Sequence, residues 1–195
     1  EEFGGQIIHP QQWPEDLDCA GMKIVIIGSG ATAVTLLPAL ADLGADVTML
    51  QRTPSYIGPL PEKDVISAVW RRLLPAPWGH RVARLNHGAR DTAQFVIAQR
   101  LPWLFKAALR AMQRRYLPAE EIDRHFTPPY RPWDQRVCKA PDGDIFRAMR
   151  RGAARVVTGH IETFTESGIR LTSGEELEAD IVITATGLKL QMLGG

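Results

Sequence analysis

The stretch MKIVIIGSGATAVTLLPALADLGADVTML, residues 22–50, decides the fold of this chain. Residues 24–27 form a short apolar run that is typical of a buried parallel strand. Apolar residues then recur at helical spacing, and Gly44 stands where such a helix ends. The segment DVTML, residues 46–50, is predicted to be a second strand. The pattern predicts a βαβ unit with a right-handed crossover.

The turn between the first strand and the helix carries a glycine motif. Residues 28–33 read GSGATA, which fits the G-x-G-x-x-A pattern of dinucleotide-binding folds. Gly28 allows the tight turn, Gly30 lets a pyrophosphate approach the backbone, and the small Ala33 lets helix and strand pack closely. Because the motif follows a strand and opens a helix, we favour dinucleotide binding over a merely tight turn. The predicted cofactor contacts, at the helix N-terminus, are Gly28, Ser29, Gly30, Ala31 and Thr32.

The residues after the second strand indicate which dinucleotide is bound. An NAD site places Asp or Glu there, which accepts a hydrogen bond from the ribose 2′-hydroxyl. This chain has Gln51, Arg52 and Thr53 instead. A guanidinium binds the 2′-phosphate that a carboxylate would repel. We therefore expect Arg52, with Thr53 beside it, to select NADP(H); the alternative is that Arg52 is an ordinary exposed side chain.

The sequence patterns divide the chain into an N-terminal loop segment, a strand-rich domain and a helical insertion. The N-terminal segment is residues 1–20, and residues 21–58 and 130–195 are predicted to form the NADP-binding domain. Residues 59–129 read as an inserted helical subdomain. The predicted fold class is α/β, a Rossmann-like three-layer domain with a central parallel sheet, a β-meander and this insertion. The predicted helices of the insertion cover residues 63–74, 89–117 and 118–126.

After the insertion the sequence reads as a loop, a short helix and further strands. The loop covers residues 127–138, and the helix after it has Asp142 or Asp144 as its predicted N-cap. Residues 161–179 have the pattern of an antiparallel meander. Its predicted turns lie at Ser167-Gly168 and Ser173-Gly174.

The last apolar run, DIVITATG at residues 180–187, is predicted to be the final strand. It would place Thr186 and Gly187 at the carboxyl edge of the sheet, where the ligands of open α/β folds bind. Both are therefore candidate cofactor contacts. A simple strand-ending turn explains Gly187 equally well.

The overall composition is that of an ordinary globular protein. Hydrophobic residues make up 45% and charged residues 23% of 195 residues, and the net charge of +1 gives no indication of nucleic-acid binding. Cys19 and Cys138 have neither CxxC nor metal-ligand spacing, which predicts reduced thiols, no metal site and a cytoplasmic location. The Arg-rich residues 71–124 are interpreted as a solvated helix face; contact with membrane lipid, phosphate or another domain is the less favoured alternative.

The N-terminal segment FGGQIIHPQQWP, residues 3–14, carries a second motif. It fits the pattern F-x-G-x-x-x-H-x-x-x-W-P, which is the fingerprint of type I Baeyer–Villiger monooxygenases. The segments GSGATAVTLLPALA, VTMLQRTPSYIGPLP, YRPWDQRVC and DIVITATGLKLQ also resemble that family, most closely its ethionamide-activating branch. In that family the fingerprint lies in the linker before the second nucleotide-binding fold, so the resemblance implies that residues 1–20 are a linker. The fingerprint residues of this chain are Phe3, Gly5, His9, Trp13 and Pro14.

The resemblance implies two cofactors and a reaction. Members of the family are FAD-containing and NADPH-dependent, and they insert one oxygen atom of O2 into a ketone to give an ester or lactone; sulfoxidation is a further activity. The FAD fingerprint that precedes the linker in the family is absent here. The chain therefore resembles an excised NADP-binding domain that is inactive alone. Its implied partners are the FAD domain of the same chain, O2 and a small ketone or sulfide.

The resemblance also assigns roles to residues in the loop YRPWDQRVC. Arg136 corresponds to the active-site arginine, whose fixed charge stabilises developing negative charge. The alternative is a loop arginine that pairs with Asp134 or Asp142. Gln135 stands where some relatives have a Lys that helps to hold the 2′-phosphate, so the phosphate would depend more on Arg52.

Two fingerprint residues have alternative roles. His9 resembles a linker residue that couples domain movement to cofactor binding, and a titrating catalyst is the alternative. Trp13 is interpreted as a packing anchor rather than a stacking partner for nicotinamide.

Three other functions fit parts of the sequence. An N- or S-oxygenating flavin-containing monooxygenase has a similar plan, but the Trp13-Pro14 ending favours the Baeyer–Villiger type. The NADPH domain of a disulfide reductase would need a CxxC pair, which the sequence lacks. A non-catalytic NADP-binding module, acting as a sensor or scaffold, is the third alternative.

Overall fold

The computed structural model describes residues 3–188, which form an α/β fold. Its secondary-structure elements are, in chain order, β1 (Gln6–Ile8), β2 (Lys23–Ile27), α1 (Ala31–Asp42), β3 (Asp46–Gln51), β4 (Ile57–Leu60), α2 (Val65–Leu73), α3 (Ala76–Arg100), α4 (Pro102–Gln113), α5 (Ala119–His125), β5 (Cys138–Pro141), α6 (Asp144–Arg150), β6 (Ala154–Thr158), β7 (Ile161–Thr165), β8 (Gly168–Leu171), β9 (Glu176–Glu178) and β10 (Ile181–Thr184). The predicted βαβ unit is β2–α1–β3.

A five-stranded parallel sheet forms the centre of the fold. Its strand order is β1-β10-β2-β3-β6, and all four pairings are parallel. The order changes direction between β10 and β3, so the carboxyl end of β2 faces the crevice where open α/β sheets bind ligands. The predicted α/β class with a parallel central sheet is confirmed.

Alternating side chains of the central strands build the three layers. Ile24 and Ile26 of β2 pack with α1 and α6 on one face of the sheet. Val25, between them, points to the opposite face and packs with Ile169 and Leu177 of the meander. Because both faces are covered, the central strands read as almost continuous apolar runs. The meander β7–β8–β9 is antiparallel, as predicted.

The helices of the insertion have different boundaries from those predicted. The helix expected from residue 89 begins at Ala76 and ends at Arg100, and Pro102 starts a new helix. Proline disfavours helical backbone at the preceding residue, and Leu101 accordingly has φ −130° and ψ 59°. Helices α2 and α3 pack closely at Gly79, whose Cβ would lie 3.0 Å from the Cα of Arg71. No helix within residues 3–188 is long and apolar enough to cross a bilayer.

Two short pairings were not predicted from the sequence. Strands β4 and β5 pair in parallel and join the two ends of the insertion. Part of the predicted linker forms β1, which pairs with β10 at the edge of the sheet. An edge position needs hydrogen bonds on one side only, which suits a segment rich in Gly and Pro.

Two local predictions were wrong. The N-cap of α6 is Gly143, in the left-handed conformation at φ 67°, and neither Asp142 nor Asp144 has that position. Asp142 instead accepts a hydrogen bond from the backbone N–H of Glu62 at 3.1 Å. The first turn of the meander precedes Gly168, which already belongs to β8. Part of the segment DIVITATGLKLQ, residues 189–191, lies outside the described residues.

Candidate dinucleotide site

Gly28 makes the turn that follows β2. Its backbone has φ +130°, and its N–H donates to the carbonyl oxygen of Leu50 at 2.8 Å. A Cβ at this position would lie 2.4 Å from the carbonyl oxygen of Ala185, just after β10. Both the backbone angle and this close approach require glycine. The first glycine of the motif is therefore fixed by the neighbouring strand.

Gly30 opens helix α1 toward free space. It is the N-cap residue, with φ −78° and ψ −178°, and no atom lies within 4 Å of a Cβ built on it. The first helical bond runs from the N–H of Val34 to the Gly30 carbonyl at 3.0 Å. The N–H groups of Ala31, Thr32 and Ala33 therefore lie in the first turn, which has no intrahelical acceptors for them. This open helix N-terminus fits the pyrophosphate of a dinucleotide.

Ser29, between the two glycines, links the motif to the segment after β3. Its hydroxyl is 2.7 Å from that of Ser55, and its carbonyl oxygen is 3.9 Å from the Sγ of Cys138. Burial raises the pKa of the Cys138 thiol, which keeps it protonated at neutral pH. These contacts join three segments into one continuous wall: the glycine turn, residues 52–56 and the start of β5.

Arg52 projects from the carboxyl end of β3. Its side chain is exposed, and it makes no hydrogen bond or ion pair within residues 3–188. Thr53, beside it, is half-buried. The chain after them is held firmly, because the Tyr130 hydroxyl donates to the Pro54 carbonyl at 3.2 Å. A guanidinium without a protein partner, on a fixed backbone, is available to an anionic ligand.

The loop that carries Gln135 and Arg136 lies against this wall. The Tyr56 hydroxyl donates to the Tyr130 carbonyl at 2.6 Å, and the N–H of Cys138 donates to the Tyr56 carbonyl at 2.8 Å. Both ends of the loop are thus fixed to the segment that follows Arg52. Gln135 and Arg136 themselves are exposed.

The structure does not contain the ion pairs considered as the alternative for Arg136. Asp134 accepts from the backbone N–H of Arg131 at 3.1 Å, and Asp142 accepts from Glu62. Within the part of the chain that is described, Arg136 forms no salt bridge. Its catalytic role stays a prediction, and its guanidinium is not engaged by an acidic side chain of the described residues.

His9 and Gly187 meet at the edge of the sheet. The Nε2 atom of His9 lies 3.2 Å from the Gly187 carbonyl oxygen, and its Nδ1 atom accepts from the N–H of Gln11 at 3.2 Å. Because Nδ1 is an acceptor, Nε2 carries the proton of the neutral ring and donates to Gly187. Gly187 has φ +138°, and Thr186 before it is exposed. The linker motif is therefore bonded to the end of β10.

The other four fingerprint residues differ in how closely they contact the rest of the fold. Phe3 packs on Phe164 of the meander with ring centroids 6.4 Å apart. A Cβ on Gly5 would lie 2.4 Å from the Asp180 carbonyl oxygen, so the close approach of the linker to β10 depends on glycine. Trp13 keeps 37% of its surface exposed, and its role as a packing anchor stays a prediction. Pro14 is half-buried.

Sequence reasoning missed a buried polar cluster beneath Arg52. The Gln51 side-chain amide donates to the His125 carbonyl oxygen at 2.8 Å and to the Thr158 hydroxyl at 3.0 Å. The His125 ring nitrogen Nδ1 is 2.8 Å from the same hydroxyl. Gln51 is 1% exposed and His125 is 7% exposed. The only sequence signal was a glutamine that follows the apolar residues Met49 and Leu50 at the end of a strand.

Comparisons with known proteins agree with this arrangement. The family model described as pyridine nucleotide-disulphide oxidoreductase matches residues 23–74, which contain the βαβ unit. The chain is 54% identical to the FAD-containing monooxygenase EthA of Mycolicibacterium smegmatis, covering 100% of this chain and 40% of that protein. It is 47% identical to the probable FAD-binding monooxygenase AlmA of Acinetobacter baylyi, covering 100% of this chain and 39% of that protein.

Solved structures show the same fold. The open crystal structure of a cyclohexanone monooxygenase superposes with a TM-score of 0.66 at 18% identity, over 95% of this chain and 43% of that one. OTEMO in complex with FAD and NADP superposes with a TM-score of 0.68 at 16% identity, over 96% and 43%. The chain thus spans about two fifths of the proteins that it matches. Over its whole length, this chain is similar in sequence to part of the FAD-containing monooxygenases EthA and AlmA.

Proposed function

We propose that this chain is the NADP(H)-binding part of an FAD-dependent Baeyer–Villiger monooxygenase, which converts ketones to esters or lactones. The observation that carries the proposal is the position of Arg52. Its unpaired guanidinium and the open turn at Gly30 lie at the same carboxyl edge of the sheet, after adjacent strands. That edge can hold both a pyrophosphate and a 2′-phosphate.

The residues present fit NADP(H). The first-turn N–H groups of α1 would hold the pyrophosphate, and Arg52 with the Thr53 hydroxyl would hold the 2′-phosphate. Gln51, the last residue of β3, is uncharged and points into the buried cluster, so no carboxylate at this position repels the phosphate. Bound NADPH would supply a hydride to FAD, which the remainder of the longer protein would hold.

Arg136 is the residue of this chain that we assign to the reaction itself. It lies two residues before Cys138, whose sulfur is in contact with the carbonyl of Ser29 in the glycine turn. A permanently charged, unpaired guanidinium near the cofactor edge can stabilise negative charge that develops in an oxygen-transfer step. Gln135, its neighbour, is a further candidate contact to the cofactor.

A cofactor titration with a matched control tests the proposal. Arg52→Gln removes the charge, and Arg72→Gln removes another exposed arginine, in the last turn of α2. Hydrogen bonds to charged groups contribute about 1.5–3 kcal/mol, so Arg52→Gln should weaken NADP binding by about 10- to 100-fold. NAD binding should change little, because NAD has no 2′-phosphate.

The control variant should bind NADP as the wild type does. Calorimetric titration of wild type and both variants with NADP and NAD gives the six affinities needed. If the wild type binds NAD as tightly as NADP, or if Arg52→Gln weakens both cofactors equally, the assignment of Arg52 is wrong.

A further inference from the structure

The polar cluster of buried Gln51, buried His125 and half-buried Thr158 joins three elements at the carboxyl edge of the sheet. Gln51 is the last residue of β3 and Thr158 is the last residue of β6, and they are paired across the parallel ladder. His125 is the last residue of α5, the final helix of the insertion. Arg52 follows Gln51 directly. The cluster therefore includes the residue that directly precedes the proposed phosphate-binding arginine.

The direction of each hydrogen bond in the cluster is determined by its chemistry. The Gln51 amide nitrogen has two protons, which it donates to the His125 carbonyl and the Thr158 hydroxyl oxygen. The Thr158 hydroxyl proton is then left for Nδ1 of His125, so the neutral ring carries its own proton on Nε2. Glu121 lies on that side, with its carboxylate 3.8 Å from Nε2. Burial lowers the pKa of His125, in agreement with a neutral ring.

The cluster is retained at a cost in stability. The Gln51 side-chain carbonyl oxygen is buried without a hydrogen-bond partner within the described chain. An unsatisfied buried acceptor is unfavourable, and an apolar residue at the end of a buried strand would avoid it. A polar residue is useful here if its hydrogen bonds fix the direction in which the chain leaves β3. The backbone supports this, since the N–H of Gly159 donates to the Gln51 carbonyl at 2.9 Å.

We infer that Gln51, His125 and Thr158 are positioning residues that hold Arg52 toward the 2′-phosphate. The helical insertion, through α5, thereby contributes to the selection of NADP over NAD. This inference rests on the proposed function, in which Arg52 binds the 2′-phosphate. None of the three residues needs to touch the cofactor, because the cluster acts through the backbone that it anchors.

The test compares two threonine-to-valine substitutions on adjacent strands. Thr158→Val keeps the shape of the side chain and removes the hydroxyl at the centre of the cluster. Thr48→Val is the matched control, because Thr48 is 3% exposed in the middle of β3 and its hydroxyl accepts one hydrogen bond from Arg155 at 2.8 Å. Both variants should lose some thermal stability, and only Thr158→Val should change cofactor preference.

The measurement is the ratio of NADP to NAD affinity, determined by titration of the full-length protein. We expect Thr158→Val to weaken NADP binding by about three- to tenfold, the effect of one ordinary hydrogen bond, and to change NAD binding by less than about twofold. Thr158→Ser retains the hydroxyl, and it should restore the wild-type ratio. A role in stability alone would lower the melting temperature and leave the ratio unchanged.

Three results would overturn the inference. One is an unchanged affinity ratio in Thr158→Val while Arg52→Gln selectively weakens NADP binding; the proposed function would then stand without the positioning role. Another is a Thr158→Ser variant in which the ratio of NADP to NAD affinity falls as far as it does in Thr158→Val. The third is an Arg52→Gln variant without any selective effect, which would remove the proposed function and this inference together.

Discussion

Replacing each of the two glycines of the dinucleotide motif by alanine should have different effects: one on stability, the other on NADP binding. In Gly28→Ala the new Cβ would lie 2.4 Å from the Ala185 carbonyl oxygen, on a backbone with φ +130°. In Gly30→Ala the new Cβ meets no atom within 4 Å, and φ is −78°. The first change therefore affects folding, whereas the second places a methyl group where the pyrophosphate would approach.

The size of each effect follows from these contacts. Left-handed backbone costs an alanine about 1–2 kcal/mol, and overpacking against fixed backbone adds about 1–3 kcal/mol, so Gly28→Ala should lose about 2–5 kcal/mol of stability. At about 2–4 °C per kcal/mol for a chain of this size, its melting temperature should fall by roughly 4–20 °C. Gly30→Ala should lose no more than about 1 kcal/mol, the effect of a poorer N-cap residue.

A third variant separates backbone strain from steric contact. Gly44 has φ +89°, and no atom lies within 4 Å of its Cβ position, so Gly44→Ala has the strain without the clash. The assay is thermal unfolding of all three variants, followed by NADP titration of those that fold. We expect Gly28→Ala to be clearly less stable than Gly44→Ala, and Gly30→Ala to be stable but deficient in NADP binding. Wild-type affinity in Gly30→Ala would refute the proposed pyrophosphate site, and equal melting temperatures for Gly28→Ala and Gly44→Ala would refute the packing argument.

Two further predictions concern Arg136 and His125. In the full-length protein, Arg136→Ala should lower the rate of ester formation from a ketone by at least about 100-fold, because it removes an electrostatic stabiliser, and NADP affinity should be nearly unchanged. Product analysis measures the ester. Undiminished ester formation would exclude Arg136 from the reaction. Burial lowers the pKa of His125 in the folded chain, so between its folded and unfolded pKa the unfolded chain binds more protons. The His125 contribution to stability should therefore be complete above its ordinary pKa of about 6.5 and decrease as the pH falls toward the folded value. Denaturant unfolding at several pH values should show a steeper acid loss in wild type than in His125→Gln, and parallel curves would contradict the assignment.

The part of the fold that was predicted from the sequence depends on local signals. The strand at residues 24–27, the turn at Gly28 and the end of α1 near Gly44 each follow from residues within a few positions of one another. The strand patterns of the meander are local in the same way. Local patterns also identified the residues at the carboxyl edge, because parallel strands bring their carboxyl ends together without further information.

The parts that were missed depend on contacts between residues far apart in the chain. Gln51 bonds to His125 and Thr158, which are 74 and 107 positions away, and no periodicity connects them. The β4–β5 pairing likewise joins Ile57 to Cys138 across the whole insertion. The N-cap of α6 was misassigned because Asp142 is used elsewhere, as the acceptor for Glu62.

The linker motif and the glycine motif are both built around the segment that follows β10. His9 donates to the Gly187 carbonyl oxygen, while the Ala185 carbonyl oxygen occupies the space that a side chain at Gly28 would need. The register of β1 on β10, with Ile8 opposite Ile183, fixes where His9 can reach. A movement of the linker therefore has to break the β1–β10 pairing or the His9–Gly187 hydrogen bond, or it has to carry residues 185–187 with it. Since the Ala185 carbonyl oxygen also packs closely against the turn at Gly28, residues 185–187 connect the linker to the predicted pyrophosphate site. This is what a coupling role for His9 requires, and a titrating catalyst would not need it.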